Sequence, residues 1–397
     1  MSHTAAVILR RTAILLVLFS TGCTSPAPHG QGDATGAHPH VMATGNGQRP
    51  VQATPALDLG AFASLETIIP RLAERRVVFV GESHNRFDHH LTQLEIIRGL
   101  HARHPSLAIG MEMFQQPFQP VLDDYIAGRI DEQAMLRGTE YYQRWRYDYR
   151  LYAPILRYAR EHGLPVIALN LPAELTRKVG REGIDALTPK ERAQLPVVID
   201  RSNADYEQRL RRVFEQHPAN GREFASFVDV QLLWDEGMAE RAATYLDEHP
   251  DHRMVILAGS GHLAWGSGIP DRLVRRTQAS SAIVLNGWQG ELEPGLADFI
   301  LLSEKRRLPP GGRFGVLLDD EADVPVVENC MPDSPCTRAG LKRGDRFLSI
   351  NGAAIESLSD LRLAMWDKQP GETVQLRVQR TRWFAAPQEM EFDIELR

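Results

Sequence analysis

The chain has 397 residues, of which 43% are hydrophobic and 24% are charged, and its formal net charge is −6. This length fits two domains at roughly 150 residues each, and the apolar content is sufficient for a packed globular core. The negative charge argues against a nucleic-acid partner, because nucleic-acid-binding surfaces are typically basic.

The first 22 residues have the pattern of a secretion signal peptide. Two arginines precede an apolar run at residues 13–19, which is too short to span a bilayer. Small residues then lead to Cys23 and resemble a bacterial lipobox, although that motif prefers Leu at the position of Ser20. We therefore expect Cys23 to carry lipid and to anchor an outer-membrane lipoprotein that faces the periplasm. Ordinary cleavage that leaves a free Cys23 is the alternative.

Residues 23–56 are rich in Pro, Gly, Ala, Thr and His and have almost no large apolar side chains. Such a composition predicts a disordered tether. Beyond it the pattern divides the chain into an α/β domain at 57–305 and a small β-rich domain at 312–397.

Apolar runs alternate with helical patterns in the first of these domains. The runs that predict strands lie at 76–80, 107–110, 165–169, 254–258 and 282–285. The helical patterns lie at 88–103, 119–128, 149–162, 222–248 and 270–278. This alternation predicts an α/β fold with a largely parallel sheet flanked by helices.

Two G-x-x-H motifs, at residues 81–84 and 259–262, directly follow two of the predicted strands. Glycine lets the backbone turn sharply, and histidine is a metal ligand or a proton carrier. Ligands of open α/β sheets bind outside the carboxyl ends of the strands. The two motifs therefore predict one shared site, although they are far apart in the sequence.

Polar residues at several predicted strand ends supply candidate ligands for this site. Glu82, His84, Glu112 and His262 are the main candidates, and Asn170 and Asn286 follow other strands. Two histidines and two carboxylates suit a divalent Zn, Mn, Fe or Co ion with an open position for water. One carboxylate could instead act as a general base.

Two helices carry further candidates. His89 and His90 are additional possible ligands, although His90 shares a helical face with Leu94 and Ile97, which favours the core. Gln231 and Asp235 are spaced by four on another helix. They could support a histidine or metal from behind, or belong to a surface stripe.

Residues 140–152 are rich in tyrosine and tryptophan. Aromatic side chains at this density cover a flat apolar ligand or fill an interface. Core packing is the commoner use and remains the alternative.

The C-terminal pattern is β-rich, with short runs at 314–318, 324–327, 346–350, 373–380 and 390–396 and helices at 334–339 and 358–367. Its motifs at 334–345, 349–352 and 370–372 resemble a PDZ domain of the bacterial protease-associated type. That resemblance implies binding of a protein's C-terminal tail by strand addition. Its carboxylate-binding loop would be Arg313, Phe314, Gly315 and Val316.

Cys330 and Cys336 remain as a pair if Cys23 is lipidated. In an oxidising compartment an even pair of cysteines is a candidate disulfide. Two free buried thiols are the alternative.

The first domain resembles the ChaN family of iron-regulated, haem-binding bacterial lipoproteins over most of residues 70–290. That family is related to the Tiki, TraB and erythromycin-esterase group. The residues that carry the resemblance are Gly81-Glu82-Ser83-His84, His89-His90 with Gln93, Met111-Glu112-Met113, Tyr152-Ala153-Pro154-Ile155, Ala168-Leu169-Asn170, Gln231 with Trp234-Asp235, and Gly259-Ser260-Gly261-His262.

The relatives imply two different functions. The Tiki-like enzymes imply a catalytic divalent metal held by Glu82, His84, Glu112 and His262, or acid–base roles for these residues. ChaN implies haem bound at a dimer interface through a tyrosine, for which Tyr142 and Tyr152 are the candidates.

The resemblance to ChaN favours binding of haem or iron for uptake. The PDZ domain is then expected to recruit a protein partner, and the haem-binding form is expected to be a homodimer. A metal-dependent hydrolase, a Tiki-like protease or an esterase, is the alternative, so the sequence leaves open whether the protein is an enzyme.

Overall fold

The structure is a computed structural model that describes residues 62–216, 223–288, 290–319, 322–382 and 385–397. The predicted signal peptide, tether and lipidation site at Cys23 lie outside the described residues. Residues 63–397 form one compact unit. Among the helices within the described ranges, none is both long and apolar enough to cross a bilayer.

Six parallel strands form the sheet of the first domain. They are β1 (Val77–Glu82), β2 (Leu107–Gln115), β3 (Val166–Asn170), β4 (Arg253–Gly259), β5 (Ser281–Asn286) and β6 (Phe299–Leu301). Their order across the sheet is β3-β2-β4-β1-β5-β6, with every pair parallel. This architecture confirms the predicted fold class.

Eleven helices of the described chain surround this sheet. They are α1 (Leu65–Ala73), α2 (Phe87–His101), α3 (Gln119–Ile126), α4 (Glu132–Gly138), α5 (Tyr141–Arg144), α6 (Ala153–His162), α7 (Ala173–Glu182), α8 (Pro189–Arg192), α9 (Ala204–Gln216), α10 (Phe224–Glu248) and α11 (Ile269–Thr277).

The sheet is buried on both faces, and strand β1 shows why. Its side chains alternate between the two faces, as they do in any strand. Val78 and Val80 belong to the core that also contains α2 and α6 residues, whereas Val77 and Phe79 belong to the core beneath α10 and α11. A strand covered on both sides must be apolar at every position, which accounts for the unbroken Val77–Val80 run.

The five apolar runs correspond to β1–β5, and the sequence analysis missed the sixth strand. Strand β6 has only three residues, pairs with β5 alone, and is half-buried throughout. A strand so short and so exposed has too few apolar residues to produce a pattern.

The second domain contains two short sheets. The first pairs β7 (Val316–Leu318) with β8 (Val327–Cys330), and the second has the order β10-β9-β11-β12. Those strands are β9 (Arg346–Ile350), β10 (Ala353–Ala354), β11 (Thr373–Arg382) and β12 (Ala385–Glu395), and the helices are α12 (Pro335–Ala339) and α13 (Leu358–Met365). This small antiparallel domain agrees with the predicted one.

A disulfide joins Cys330, the last residue of β8, to Cys336 in α12, with a Cα–Cα distance of 5.5 Å. Cys336 is fully buried in the core of the second domain. The bond therefore ties the first sheet of this domain to its short helix.

Candidate functional site

The carboxyl ends of three neighbouring strands bring the predicted residues to one place. Strand β4 lies between β1 and β2, and Glu82 at the end of β1 is in register with Gly259 at the end of β4. Met111 of β2 is in register with Leu257 of β4, so Glu112 comes one residue later at the same edge. Parallel pairing alone therefore places both G-x-x-H motifs and Glu112 side by side.

Glu82 and His84 form the first carboxylate–imidazole pair of the site. Glu82 Oε1 lies 2.5 Å from His84 Nδ1, and the carboxylate is fully buried whereas the imidazole is 25% exposed. Burial raises the pKa of Glu82, but the charge and hydrogen bond of His84 outweigh it and lower the pKa overall. Burial conversely lowers the pKa of His84, and the charges of Glu82 and Glu112 raise it overall. These opposite shifts of the two pKa values favour an ion pair between the buried carboxylate and the partly exposed imidazole.

His262 and Asp235 form the second pair. His262 Nδ1 lies 2.6 Å from Asp235 Oδ1, and the Tyr206 hydroxyl donates to Asp235 Oδ2 at 2.6 Å. Burial lowers the pKa of His262, but the charges of Asp235 and Glu112 outweigh it and raise that pKa to about 9. His262 is therefore an imidazolium at neutral pH.

Glu112 and Gly259 join the two pairs into one site. Glu112 Oε1 lies 3.6 Å from His262 Nε2, and its Oε2 accepts the Gly259 N–H at 2.7 Å. A Cβ on Gly259 would lie 3.0 Å from His84 Cε1. Glycine at this position therefore allows the His84 ring to approach the backbone of β4.

His89 and His90 lie beneath the site and are buried. His90 contacts Gln93 through Nδ1 at 3.0 Å and the His84 carbonyl through Nε2 at 3.2 Å. His89 Nδ1 accepts the Ser83 N–H at 3.0 Å, and burial lowers the His89 pKa to about 4. Both histidines brace the loop that follows β1.

The remaining predicted polar residues have different positions. The Asn170 amide donates to the Glu112 carbonyl at 3.1 Å and so fixes the end of β2. Gln231 is half-buried on α10, one turn before Asp235. Asn286 donates to the Gly81 carbonyl at 3.0 Å. Of these, Asn170 and Asn286 hold strand ends in place.

Aromatic side chains form one wall of the site. The Trp145 and Tyr147 rings lie 4.7 and 5.1 Å from the His84 ring, and the Trp234 ring lies 6.2 Å from His262. Tyr147 is half-buried, and burial together with the charges of Glu82 and Glu112 raises its pKa to about 12. The opening is therefore flanked by flat apolar rings.

Tyr142 and Tyr152, the tyrosines selected from the sequence, are both buried. The Tyr152 hydroxyl donates to the His84 carbonyl at 3.4 Å and accepts from Trp145 at 3.2 Å. Tyr142 packs edge-on against Tyr141. The tyrosine that faces His84 with part of its ring exposed is Tyr147.

Among the described residues, no group of three or more His, Cys, Asp or Glu side chains is arranged so that it could hold a metal ion. The predicted set of Glu82, His84, Glu112 and His262 does come together, but as ion pairs. His84 engages Glu82 Oε1, and the Gly259 N–H engages Glu112 Oε2, whereas the buried Glu82 Oε2 has no hydrogen-bond partner among the described residues.

Sequence reasoning missed Tyr206 and did not single out Trp145 or Tyr147 within the aromatic segment. Tyr206 is on α9, a helix whose other described side chains are largely solvent-facing, and it reaches Asp235 from 29 residues away in the sequence. No local pattern signals such a contact. For Tyr147 the only signal in the sequence was the density of aromatic residues at 140–152, which does not distinguish it from the other five tyrosine and tryptophan residues of that segment.

Comparison with known proteins identifies the first domain. Residues 68–273, just over half of the chain, match the model of the family described as haem-binding uptake, Tiki superfamily, ChaN. The chain belongs to this family. Residues 312–394 match the PDZ domain model.

Solved structures agree with the fold. ChaN of Campylobacter jejuni, described as binding cofacial haem, is 18% identical with a TM-score of 0.50, over 61% of this chain and 92% of that chain. At this identity the likeness shows the ChaN fold alone. An erythromycin esterase mutant in its open conformation is 16% identical over 55% of this chain and 72% of that one, with a TM-score of 0.34, too distant to inform function.

A curated relative is the chloroplastic protein RETICULATA-RELATED 5 of Arabidopsis thaliana. It is 25% identical over 279 residues, or 59% of this chain. The chain spans only 35% of the length of that relative.

The loop predicted to bind a peptide carboxylate precedes β7, which has β8 as its single strand neighbour in the described sheet. Gly315 has a φ of +68°, and a Cβ there would lie 2.4 Å from Ser334 Cβ. The loop therefore requires glycine at this position, and an edge of β7 is available for strand addition.

Replacing Asp235 by Asn should lower the pKa of His262 from about 9 towards its ordinary value of 6.5, because the raising charge is removed while burial persists. A raised folded-state pKa stabilises the fold below about pH 6.5 and the effect is lost as pH rises through about 9. Between about pH 6.5 and about pH 9, the Asp235→Asn variant should therefore lose less stability than the unchanged protein does.

Nuclear magnetic resonance titration of the imidazole protons and urea unfolding at several pH values measure both effects. The exposed Asp247, on the same helix, provides the matched control as Asp247→Asn. An unchanged His262 pKa in the Asp235→Asn protein would contradict the ion pair.

Proposed function

We propose that the open face at the carboxyl edge of the sheet binds haem. One observation carries this proposal: the half-buried Tyr147 and the Trp145 ring flank the partly exposed His84, with ring centroids 5.1 and 4.7 Å from the His84 ring, respectively. Membership of the ChaN family supports the ligand class. Bound haem supplies an iron whose axial position a tyrosine or histidine can fill.

The residues present fit haem in their chemistry. Tyr147 offers a phenol oxygen, Trp145 and Trp234 offer flat apolar surfaces, and the imidazoles of His84 and His262 are partly open to solvent. Burial lowers the pKa of both imidazoles, but the carboxylates outweigh it, raising the pKa of His262 to about 9 and that of His84 above its ordinary value, which disfavours the neutral form that binds iron. Tyr147 is therefore the favoured axial residue.

Tyr147 must lose its proton to bind iron as a tyrosinate. Burial and the charges of Glu82 and Glu112 oppose that loss. Haem bound through Tyr147 should accordingly bind more tightly as pH rises. Because the face is open, one side of the haem would remain exposed on a single chain, and we propose that a second copy covers it in a homodimer.

Replacing Tyr147 by Phe should weaken haemin binding by roughly tenfold or more, about 1.4 kcal/mol or more, and change the absorption bands of the complex. Titration of the full chain with haemin, followed by its absorption spectrum, measures both. Tyr142→Phe removes a hydroxyl from the buried neighbour of the same segment and should leave both unchanged. Binding that survives intact in Tyr147→Phe would rule out this residue as the ligand.

A second candidate function is hydrolysis by acid–base chemistry, in the manner of the esterase or protease relatives. The observation that favours it is that each imidazole is paired through Nδ1 with a buried carboxylate, while His262 Nε2 lies 3.6 Å from Glu112 Oε1. Such pairing holds an imidazole in one orientation and stabilises its charged form. A divalent metal, the other version of this alternative, would have to bind through the same residues.

If the protein is a hydrolase, His84→Asn and His262→Asn should each lower the turnover of an activated ester by about a hundredfold or more at temperatures where both variants remain folded, although each should unfold at a lower temperature because a buried carboxylate loses its cation. The control is His249→Asn, since His249 lies at the amino end of β4 and contacts Tyr245. Metal analysis of the same preparations distinguishes hydrolysis by acid–base chemistry from metal-dependent hydrolysis. Equal turnover in all four proteins would exclude this function.

We propose that the chain is an outer-membrane lipoprotein facing the periplasm, with Cys23 lipidated and the PDZ domain recruiting a protein tail. The lipobox-like segment before Cys23 and the Cys330–Cys336 disulfide, which suits an oxidising compartment, support this location.

Cys23→Ser should release the protein from the membrane pellet into the soluble periplasmic fraction, because it removes the residue that carries lipid. Cell fractionation and immunoblotting measure the distribution. Ser20→Ala, which keeps a small residue before Cys23, should leave it in the pellet. A Cys23→Ser protein that still sediments with membranes would overturn the anchor.

A further inference from the structure

Helix α13 of the PDZ domain contacts the first domain with one face. Leu363 is buried in the core of the first domain, and the Trp366 ring lies 5.3 Å from the Tyr149 ring in an edge-to-face contact. Arg362 Nη1 donates to the Arg146 carbonyl at 3.4 Å. These contacts fall on the segment that carries the aromatic wall of the candidate site.

That segment, residues 140–148, is called here the aromatic flap. It carries Trp145 and Tyr147 against His84. Glu140 and Arg146 within it have φ values of +51° and +70°, in the left-handed region that side chains disfavour. A segment with two such residues keeps its conformation only where surrounding contacts hold it. The contact from α13 falls directly on Arg146.

The opposite face of α13 belongs to the PDZ core. Leu361 is buried there with Phe314 of the predicted peptide loop, and Val316 and Met365 pack against the same cluster. One short helix therefore contributes to the core that also contains the predicted peptide loop and, on its other face, contacts the segment that lies against His84. Because α13 has only eight residues, a displacement of its PDZ-facing side would also move the side that contacts the first domain.

Space for movement exists beside this contact. A depression of the surface, of about 620 Å³ and largely open to solvent, is lined by Tyr125, Glu132 and Arg157 of the first domain and by Trp366 at the end of α13. Helix α13 is thus not packed tightly against the first domain along its whole length. A small shift of the helix towards this depression would withdraw support from the flap.

We propose that helix α13 holds the aromatic flap closed over His84, so that the PDZ domain controls access to the candidate site. Arg362 and Trp366 are positioning residues that act through the flap. This control depends on the contacts described above and on the PDZ assignment; it rests on the proposed function only for the identity of the ligand that is admitted.

The test measures access to His84 without haem and without a PDZ ligand. Diethyl pyrocarbonate acylates the unprotonated fraction of an imidazole, so the rates are compared over the same series of pH values for every protein, and mass spectrometry reports the rate at each histidine of the full chain. The double variant Arg362→Ala/Trp366→Ala should raise the rate at His84 by about two- to tenfold, the fold-change expected for loss of one aromatic contact. His249, at the opposite end of the sheet, should react at an unchanged rate.

Arg343→Ala, which removes an exposed arginine of the same domain, is the matched control. If the double variant does not fold, Arg362→Ala alone removes one hydrogen bond and should still accelerate His84. An unchanged His84 rate in folded variants overturns the proposal, as does an equal rise at His84 and His249, which would indicate general loosening. A chain that binds no haemin but shows the selective rise would refute the proposed function and leave the control by α13 intact.

Discussion

The pairing of buried carboxylates with imidazoles at the carboxyl edge of the sheet is the interaction on which the site depends. Glu82 and Asp235 are 0% and 1% exposed, and an unpaired charge in such a position costs several kcal/mol. Each is compensated by an imidazole at 2.5 or 2.6 Å. The histidines are therefore required by the carboxylates as much as the carboxylates by the histidines, which fixes both rings in orientation before any ligand arrives.

Close packing of the backbone makes this pairing geometrically possible. Gly81 and Gly259 lie one register position apart at the ends of adjacent strands, and a Cβ on Gly81 would lie 2.6 Å from Leu285 Cδ2. The Gly259 N–H in turn fixes Glu112. The glycines of both G-x-x-H motifs thus allow neighbouring side chains to lie close to the backbone. Neither glycine has a positive φ in the structure, so neither is required by a left-handed turn. The sequence analysis assigned them to sharp turning, and the structure gives a different reason for the same residues.

The sequence predicts the sheet and the edge where the site lies, because unbroken apolar runs ending in polar residues reflect a local rule. It does not predict the pairing within the site. Asp235 and Tyr206 come from helices, and their contact with His262 depends on how α9, α10 and the loop after β4 pack, which is a property of the whole fold. For the same reason the sequence does not distinguish Tyr147 from the candidates Tyr142 and Tyr152. Residues within one aromatic segment differ only in which way the backbone turns, and that turn is set by Glu140, Arg146 and the contact from the second domain.

The charges that organise the site also determine which ligand chemistry it favours. Glu82 and Glu112 raise the pKa of His84, and the same two carboxylates help to raise the pKa of Tyr147 to about 12. Both effects disfavour the deprotonated donors that a ferric iron needs. Tyr147 or His84 would therefore have to release a proton to bind the iron, and lowering the pH would favour dissociation of the haem. The same imidazolium ions are, by contrast, already in the form that a general acid requires. The electrostatics thus make haem binding sensitive to pH, whereas acid catalysis would use the site as it stands, so pH dependence distinguishes the two functions more directly than affinity does.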